Sequence, residues 1–288
     1  MLWLVNIVAY IINAVVVGSS QFGWLGATNE EISDDNLTFV TPAGWAFSIW
    51  GVIFLFELIF VVWGALPSNR GMRIIDDGVG CWFAIANVVQ AAWTLTFAQE
   101  LLVASAVLLC AIAFSLGMAV VCLSKFKRAQ TIQCLSVAFW TVHFPIGLHA
   151  GWVLAASLVN INVALELDDL SSQTAALILT IVGASFGASF AALLFYDQVY
   201  LLAVAWAIAG IAAKDDFRRE RLGKPISDGV NEALKGLWIA LLCLMVLGFL
   251  AGVRQRNRDA LELEDKSGSS RKREAAASSD LTSAIYAS

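Results

Sequence analysis

Polar and ionisable side chains are scarce inside the long apolar runs of this chain, so each one there carries information about chemistry. Glu57 follows Phe47, Trp50 and Phe54 at spacings of three, four and three, which puts all four on one face of a helix. Two readings of Glu57 stand side by side. The simpler one solvates its carboxylate near the inner membrane interface, and the sharper one makes it an intramembrane acid. Asn87, Gln90 and Thr94 form a second stripe, with Trp93 beside it. Amides facing lipid are costly, so this stripe is expected to face the bundle interior, either as helix–helix hydrogen bonds or as the lining of a ligand cavity. Trp152, Ala156 and Asn160 stand at i, i+4 and i+8, again on one face. The two histidines, His143 and His149, are six residues apart, about 240° around a helix. That spacing rules out a bis-histidine haem site within one helix and leaves a single axial ligand as the remaining haem chemistry.

What is missing matters as well. No Ser/His/Asp set, metal-ligand cluster or paired carboxylates fall at membrane depth, and no phosphate-cradling glycine loop occurs. The five cysteines (Cys81, Cys110, Cys122, Cys134 and Cys243) include no CxxC pair and read as small packed hydrophobes. The chain is therefore expected not to be an enzyme.

The elements that must position these residues are membrane helices. Apolar residues make up 59% of the 288 and charged residues 14%, with a mean hydropathy of +0.75. Soluble domains carry about 25% charge, so lipid is the expected solvent. Eight runs approach the roughly 20 apolar residues a crossing needs: about 2–18, 43–65, 79–98, 101–123, 143–165, 175–196, 198–213 and 233–253. They are continuously apolar rather than alternating, which excludes a barrel. The expected fold is all-α, a polytopic transmembrane bundle of about eight helices. The first run lacks a positive n-region and reads as a retained helix rather than a signal peptide. In the sixth run, Gly183 with Gly187 and Ser185 with Ser189 are small-xxx-small pairs that permit close helix packing.

Orientation follows from Lys and Arg in short loops. Segments 19–42 and 166–174 hold acids without bases, whereas 66–77 and 124–130 hold Arg70, Arg73, Lys125, Lys127 and Arg128. The N-terminus is thus expected in the cytosol. Segment 214–232 breaks the pattern: an eight-helix count puts it outside, yet it carries Lys214, Arg218, Arg219, Arg221 and Lys224. Residues 254–288 turn basic and then Ser/Ala-rich, the composition of a disordered tail, expected to be cytosolic. No basic stripe with interleaved aromatics exists, so nucleic acid is not an expected partner.

Three segments then meet a family. "FVTPAGWAFSIWGVIF" (39–54), "ANVVQAAWTLTFAQ" (86–99) and "FPIGLHAGWVLAASLVNINVAL" (144–165) resemble, in order, the TPxGW…W segment, the third helix and the fifth helix of the TspO/MBR family. "TNEEIS" (28–33) and "AWAIAGIA" (205–212) resemble a longer branch of it. The resemblance implies a five-helix core over residues 1–165, with 166–253 as additional helices. It also implies a cavity for flat hydrophobic ligands such as porphyrins, and a sensing or transport-facilitating role. The implied lining is Trp45, Trp50, Asn87, Trp93, Trp152, Ala156 and Asn160. The apolar–Tyr–basic sterol motif is absent after residue 165, where Glu166, Asp168 and Asp169 stand.

The resulting expectation is a receptor or carrier in the lipid bilayer, holding a small hydrophobic, tetrapyrrole-like ligand in a Trp-lined pocket. A second copy of the chain is a further partner that the sequence allows. Two alternatives stand beside it: a secondary transporter using Glu57 and the Asn87/Gln90 stripe, and an accessory or scaffold subunit of a membrane complex.

Overall fold

The computed structural model describes residues 1–129, 136–167, 169–195, 197–214, 232–248, 250 and 254. The expected tail (254–288) therefore lies, apart from Arg254, outside the described residues, as do Cys134 and most of segment 214–232.

Each of the eight apolar runs carries a helix, and the described residues contain no strand. In chain order the helices are α1 (Leu2–Gln21), a short α2 (Asn29–Asp35), α3 (Ile49–Ala65), α4 (Trp82–Ala98), α5 (Leu102–Ala129), α6 (Phe144–Ala164), α7 (Leu170–Leu194), α8 (Gln198–Ala213) and α9 (232–248). Five helical segments, Leu2–Gln21, Gly44–Ala65, Leu102–Phe126, Phe139–Ala164 and Ser171–Leu194, are long and apolar enough to cross a membrane. Helices α4 and α8 are apolar but shorter, at 17 and 16 residues, or about 25 Å at the α-helical rise. The chain is a polytopic helical membrane protein.

Local chemistry explains the boundaries. Pro145 sits in the first turn of α6, where its missing N–H costs nothing, directly after a π-helical turn over Phe139–His143. Asp169 caps α7 by accepting from the Ser172 backbone N–H at 2.8 Å. The turn from α4 to α5 is sharp, with Glu100 at φ 54°; the Leu101 N–H donates back to Thr96 O at 2.9 Å.

The helix ends alternate up and down. On one face of the bundle Gln99, after α4, donates to Leu25 O at 3.2 Å, and Lys214, after α8, reaches Asp34 at 2.6 Å. On the other face the Arg70 guanidinium lies 4.1 Å from the centre of the Trp3 ring. The end of α8 therefore shares a face with the α1–α3 connection, as an eight-helix count requires, although the basic residues of 214–232 argued otherwise.

Helix α6 is the axle. It packs on α3, α5, α7 and α8, and 72% of its membrane window is buried, by far the largest share among the five spans. The small residues of α7 make the close approach foreseen for them: a Cβ on Gly187 would lie 2.8 Å from the Leu154 side chain of α6.

Candidate functional site

The connection between α1 and α3 folds into a lid. Its short helix α2 opens with a capping box: Thr28 Oγ1 accepts from the Glu31 backbone N–H at 3.3 Å, and Glu31 Oε2 accepts from the Thr28 N–H at 2.8 Å. The Thr28 backbone N–H first, and second the Thr28 hydroxyl, which also donates to Glu31 Oε2 at 2.9 Å, hold the Glu31 carboxyl below the usual carboxylate range. After α2 the chain runs through Pro42 into a 3₁₀ turn, Gly44–Ser48, that leads straight into α3.

Helix α8 holds the lid down through three polar contacts. The Ala43 N–H donates to Gly210 O at 2.9 Å, Trp206 Nε1–H donates to Ala46 O at 2.9 Å, and Lys214 pairs with Asp34. Gly210 is required by the approach itself, since a Cβ there would lie 2.7 Å from the Ala46 Cβ.

Beneath the lid is a cavity of about 50 Å³. Its walls are aromatic: Phe47 from the 3₁₀ turn, Trp50 from the first turn of α3, Trp93 and Phe97 from α4, and Trp152 from α6. The rings form one cluster. Trp50 meets Trp152 edge-on at 6.0 Å and tilts against Trp93 at 6.3 Å. Trp93 stacks on Phe97 at 5.3 Å, and Trp152 meets Phe47 edge-on at 6.2 Å. Ala156 and Asn160 continue the α6 wall, Asn29, Ser33 and Pro42 form the lid side, and Ala207 and Ile211 of α8 close the remaining flank. Asn160 Oδ1 accepts from Ser105 Oγ at 2.9 Å, which fixes its amide at the cavity edge. The Nε1 atoms of Trp93 and Trp152 are buried without a hydrogen-bond partner among the described residues.

Five of the seven residues singled out in the sequence thus share this cavity: Trp50, Trp93, Trp152, Ala156 and Asn160. The other two lie elsewhere. Trp45 is 46% exposed on the 3₁₀ turn, its ring edge-on to Trp206 at 4.9 Å. Asn87 is fully buried one helix face away, where its Oδ1 accepts from Asn13 Nδ2 at 2.9 Å. Gln90 Oε1 accepts from the same amide at 2.8 Å, so the α4 stripe is a seam against α1. Asn13, with Asn6 one heptad before it, had not been picked out. Both are visible in the sequence as amides on one face of the first helix.

The largest departure concerns Glu57. It is not solvated at an interface: its side chain is fully buried, and Oε1 lies 2.7 Å from Nδ1 of the equally buried His149. That nitrogen is thereby engaged, so a haem ligand at His149 would have to use Nε2. The His149 ring stands edge-on to Trp50 at 5.6 Å, so it packs against a residue of the cavity wall without lining the cavity itself. The pair was hidden in the sequence because its members are 92 residues apart. Among the described residues no group of three or more His, Cys, Asp or Glu could hold a metal ion.

Comparison with known families decides the assignment. The family model described as TSPO-like protein matches residues 3–253. The chain belongs to the TSPO-like protein family. The match runs past residue 165 through α7, α8 and the described part of α9, so these later helices are part of what the family model covers. Neither the curated proteins nor the solved structures give a match to the chain.

Proposed function

We propose that this TSPO-like membrane protein is a non-enzymatic receptor or carrier that binds a flat hydrophobic molecule, tetrapyrrole-like in shape, in the aromatic cavity beneath the lid. The observation that carries the reading is the convergence of Trp50, Trp93 and Trp152 on one cavity beneath the lid. Indole faces offer a flat apolar wall, and burial against them contributes about 25 cal/mol per Å² of apolar area. Unused N–H groups on Trp93 and Trp152, with the Asn160 amide, supply polar points that would orient a guest.

The present cavity is far below the roughly 300–1,000 Å³ of ordinary ligand sites. It corresponds to a closed state, and loading requires the lid to swing off α8. In this reading residues 1–165 form the binding core, and α8 from the additional helices serves as flank and latch. The lid face is the non-cytosolic one, and both termini lie in the cytosol, in keeping with the acidic α1–α3 connection. A membrane-impermeant thiol reagent reacting with a cysteine introduced at Ser33, but not with one at Ser68, in sealed cells would support that sidedness.

The test is quenching of intrinsic tryptophan fluorescence in detergent on titration with protoporphyrin IX. Saturable quenching, lost when Trp50, Trp93 and Trp152 are replaced by Phe, is the expected result. Linear quenching that is unchanged by those replacements would overturn the reading.

A specific observation also favours a transport variant. Glu57 and His149 are ionisable groups at membrane depth, a placement that commonly marks coupled pathways. The Asn87/Gln90 stripe is engaged with Asn13 and adjoins no part of the cavity, so any coupling would run through the dyad rather than the stripe.

A further inference from the structure

The cavity lining contains no Lys, Arg, His, Asp or Glu. Directly behind its Trp50 wall, however, sit the fully buried Glu57 and His149, 2.7 Å apart. Two atoms of this dyad, Glu57 Oε2 and His149 Nε2, are buried and have no hydrogen-bond partner among the described residues. Each can accept a proton.

The charge states of such a dyad are few. With one proton, on the Nδ1–Oε1 bridge alone, it carries −1. With two, it is an ion pair or a neutral acid beside a neutral imidazole, and its net charge is zero either way. With three, both partners are protonated and it carries +1. In a low-dielectric setting the net-zero state is strongly favoured while nothing charged is nearby. An anion placed against Trp50 inverts that preference, because an isolated buried anion is far costlier than an anion facing a cationic dyad.

Other ionisable groups near the dyad do not offer this charge. On α1 only Tyr10 stands near it, and that phenol donates its hydroxyl to Phe54 O at 2.9 Å. The adjoining 3₁₀ turn and α7 carry no ionisable side chain, and neither does α4. Preceding α6, the π-helical turn presents His143, six residues from His149 and on another face. Helix α8 presents Asp197 and Tyr200, against Gly147 and Gly151 on α6; Gly147 lies about 200° around the helix from His149. On α5 the ionisable groups are Cys110, Cys122, Lys125, Lys127 and Arg128; Cys110 and Lys125 are exposed, and the last three stand in the final turns of the helix.

We propose that Glu57 and His149 form a membrane-buried proton-binding site that loads one extra proton when the pocket receives a carboxylate, so that this protein takes up flat anionic molecules as ligand plus proton. The proposal rests on the pocket reading above. The proton comes from bulk water and ends on Glu57 Oε2 or His149 Nε2; no other bond is made or broken.

The experiment uses a matched pair of flat probes, 1-pyrenebutyric acid and its methyl ester, with the full-length protein in weakly buffered detergent at a pH where the free acid is ionised. Energy transfer from tryptophan to pyrene reports binding, and a pH-indicator dye counts protons. The expected result is uptake of about one proton per bound acid and none per bound ester. In the double variant Glu57→Gln/His149→Gln the acid should bind at least tenfold more weakly with no uptake, while the ester binds as before. Binding of both probes without uptake, or uptake unchanged in the double variant, overturns the proposal and leaves the pocket standing. Failure of both probes to bind wild-type protein removes the pocket reading and this inference with it. Should the double variant not bind the ester, wild-type protein decides. Exchanging ester for acid must then change either the carboxylic-acid carbonyl band in the infrared or one of the two imidazole ¹⁵N resonances, and no change in either overturns the proposal.

Discussion

Two polar regions at membrane depth, one on each side of α4, have opposite characters. On the α1 side, Asn13 ties Asn87 and Gln90 together, and the Asn87 amide also donates to Phe83 O at 3.0 Å. On the α3–α6 side, Trp93 and Trp152 line the cavity and keep unused indole donors, and the ionisable pair packs against its Trp50 wall. The first region uses its polarity to hold helices together, and although Asn13 Oδ1 and Gln90 Nε2 have no partner among the described residues, none of its amides lines the cavity. The second sets its unspent polarity beside that cavity. A polar residue inside a membrane bundle therefore identifies a site only when space accompanies it.

That contrast can be broken most severely at the dyad. His149→Leu leaves the Glu57 carboxyl buried without its partner, and should cost about 3–5 kcal/mol of stability, read as a large drop in the thermal midpoint in detergent. The conservative double variant with glutamines should lose far less, because no unpaired ionisable group remains.

Next in size is the aromatic wall. Replacing Trp50, Trp93 and Trp152 with Phe should weaken porphyrin binding at least tenfold, or about 1.4 kcal/mol, while the thermal midpoint moves little. On the seam side the pattern should reverse: Asn13→Leu removes two interhelical bonds, worth about 0.6 kcal/mol each, lowering the midpoint slightly while binding is unchanged. If Asn13→Leu weakened binding as much as the tryptophan changes do, the division between seam and cavity would fail.

A smaller effect belongs to the latch. Asp34 is about one-third exposed, so Lys214→Gln should cost below about 1 kcal/mol. Stopped-flow quenching should nevertheless show faster ligand release, by a few-fold, since the lid loses one of its three polar contacts with α8. The smallest effect is that of acid on the lid. The Glu31 carboxyl is held below the usual range by Thr28, so its capping contribution is complete above the unfolded-state value and disappears as pH falls through the folded-state value. Ligand release should quicken only at such acidic pH, and Thr28→Ala should remove that pH dependence.

Much of this was legible in the sequence because helical spacing is a local property. Trp152, Ala156 and Asn160 share a face by arithmetic, as do Trp50 and Glu57, and the eight apolar runs mark eight helices without reference to one another. What was not legible depends on which faces meet. Glu57 could be placed on its helix but not beside His149, because nothing along the chain links residue 57 to residue 149. Asn87 and Asn160 look alike as buried amides; only the partner helix, α1 for one and α5 for the other, sends the first into a seam and the second to a cavity edge. The Thr28–Glu31 capping box was a readable signal for α2, but the contacts of α2 with α8 were not, since they depend on a helix nearly 180 residues later.

The enclosure of α6 bears on how the protein comes to be in the membrane at all. A helix surrounded on all sides by other helices gains little from lipid, and α6 is the least apolar of the five long spans. It can accommodate Pro145, His149, Asn160 and Asn162 because its neighbours, rather than acyl chains, surround it. During synthesis, however, α7 and α8 have not yet been made when α6 leaves the ribosome, and half of its eventual shelter does not exist. Its insertion is therefore expected to depend on the arrival of α7 and α8, and chains truncated after residue 165 should retain α6 in the bilayer poorly.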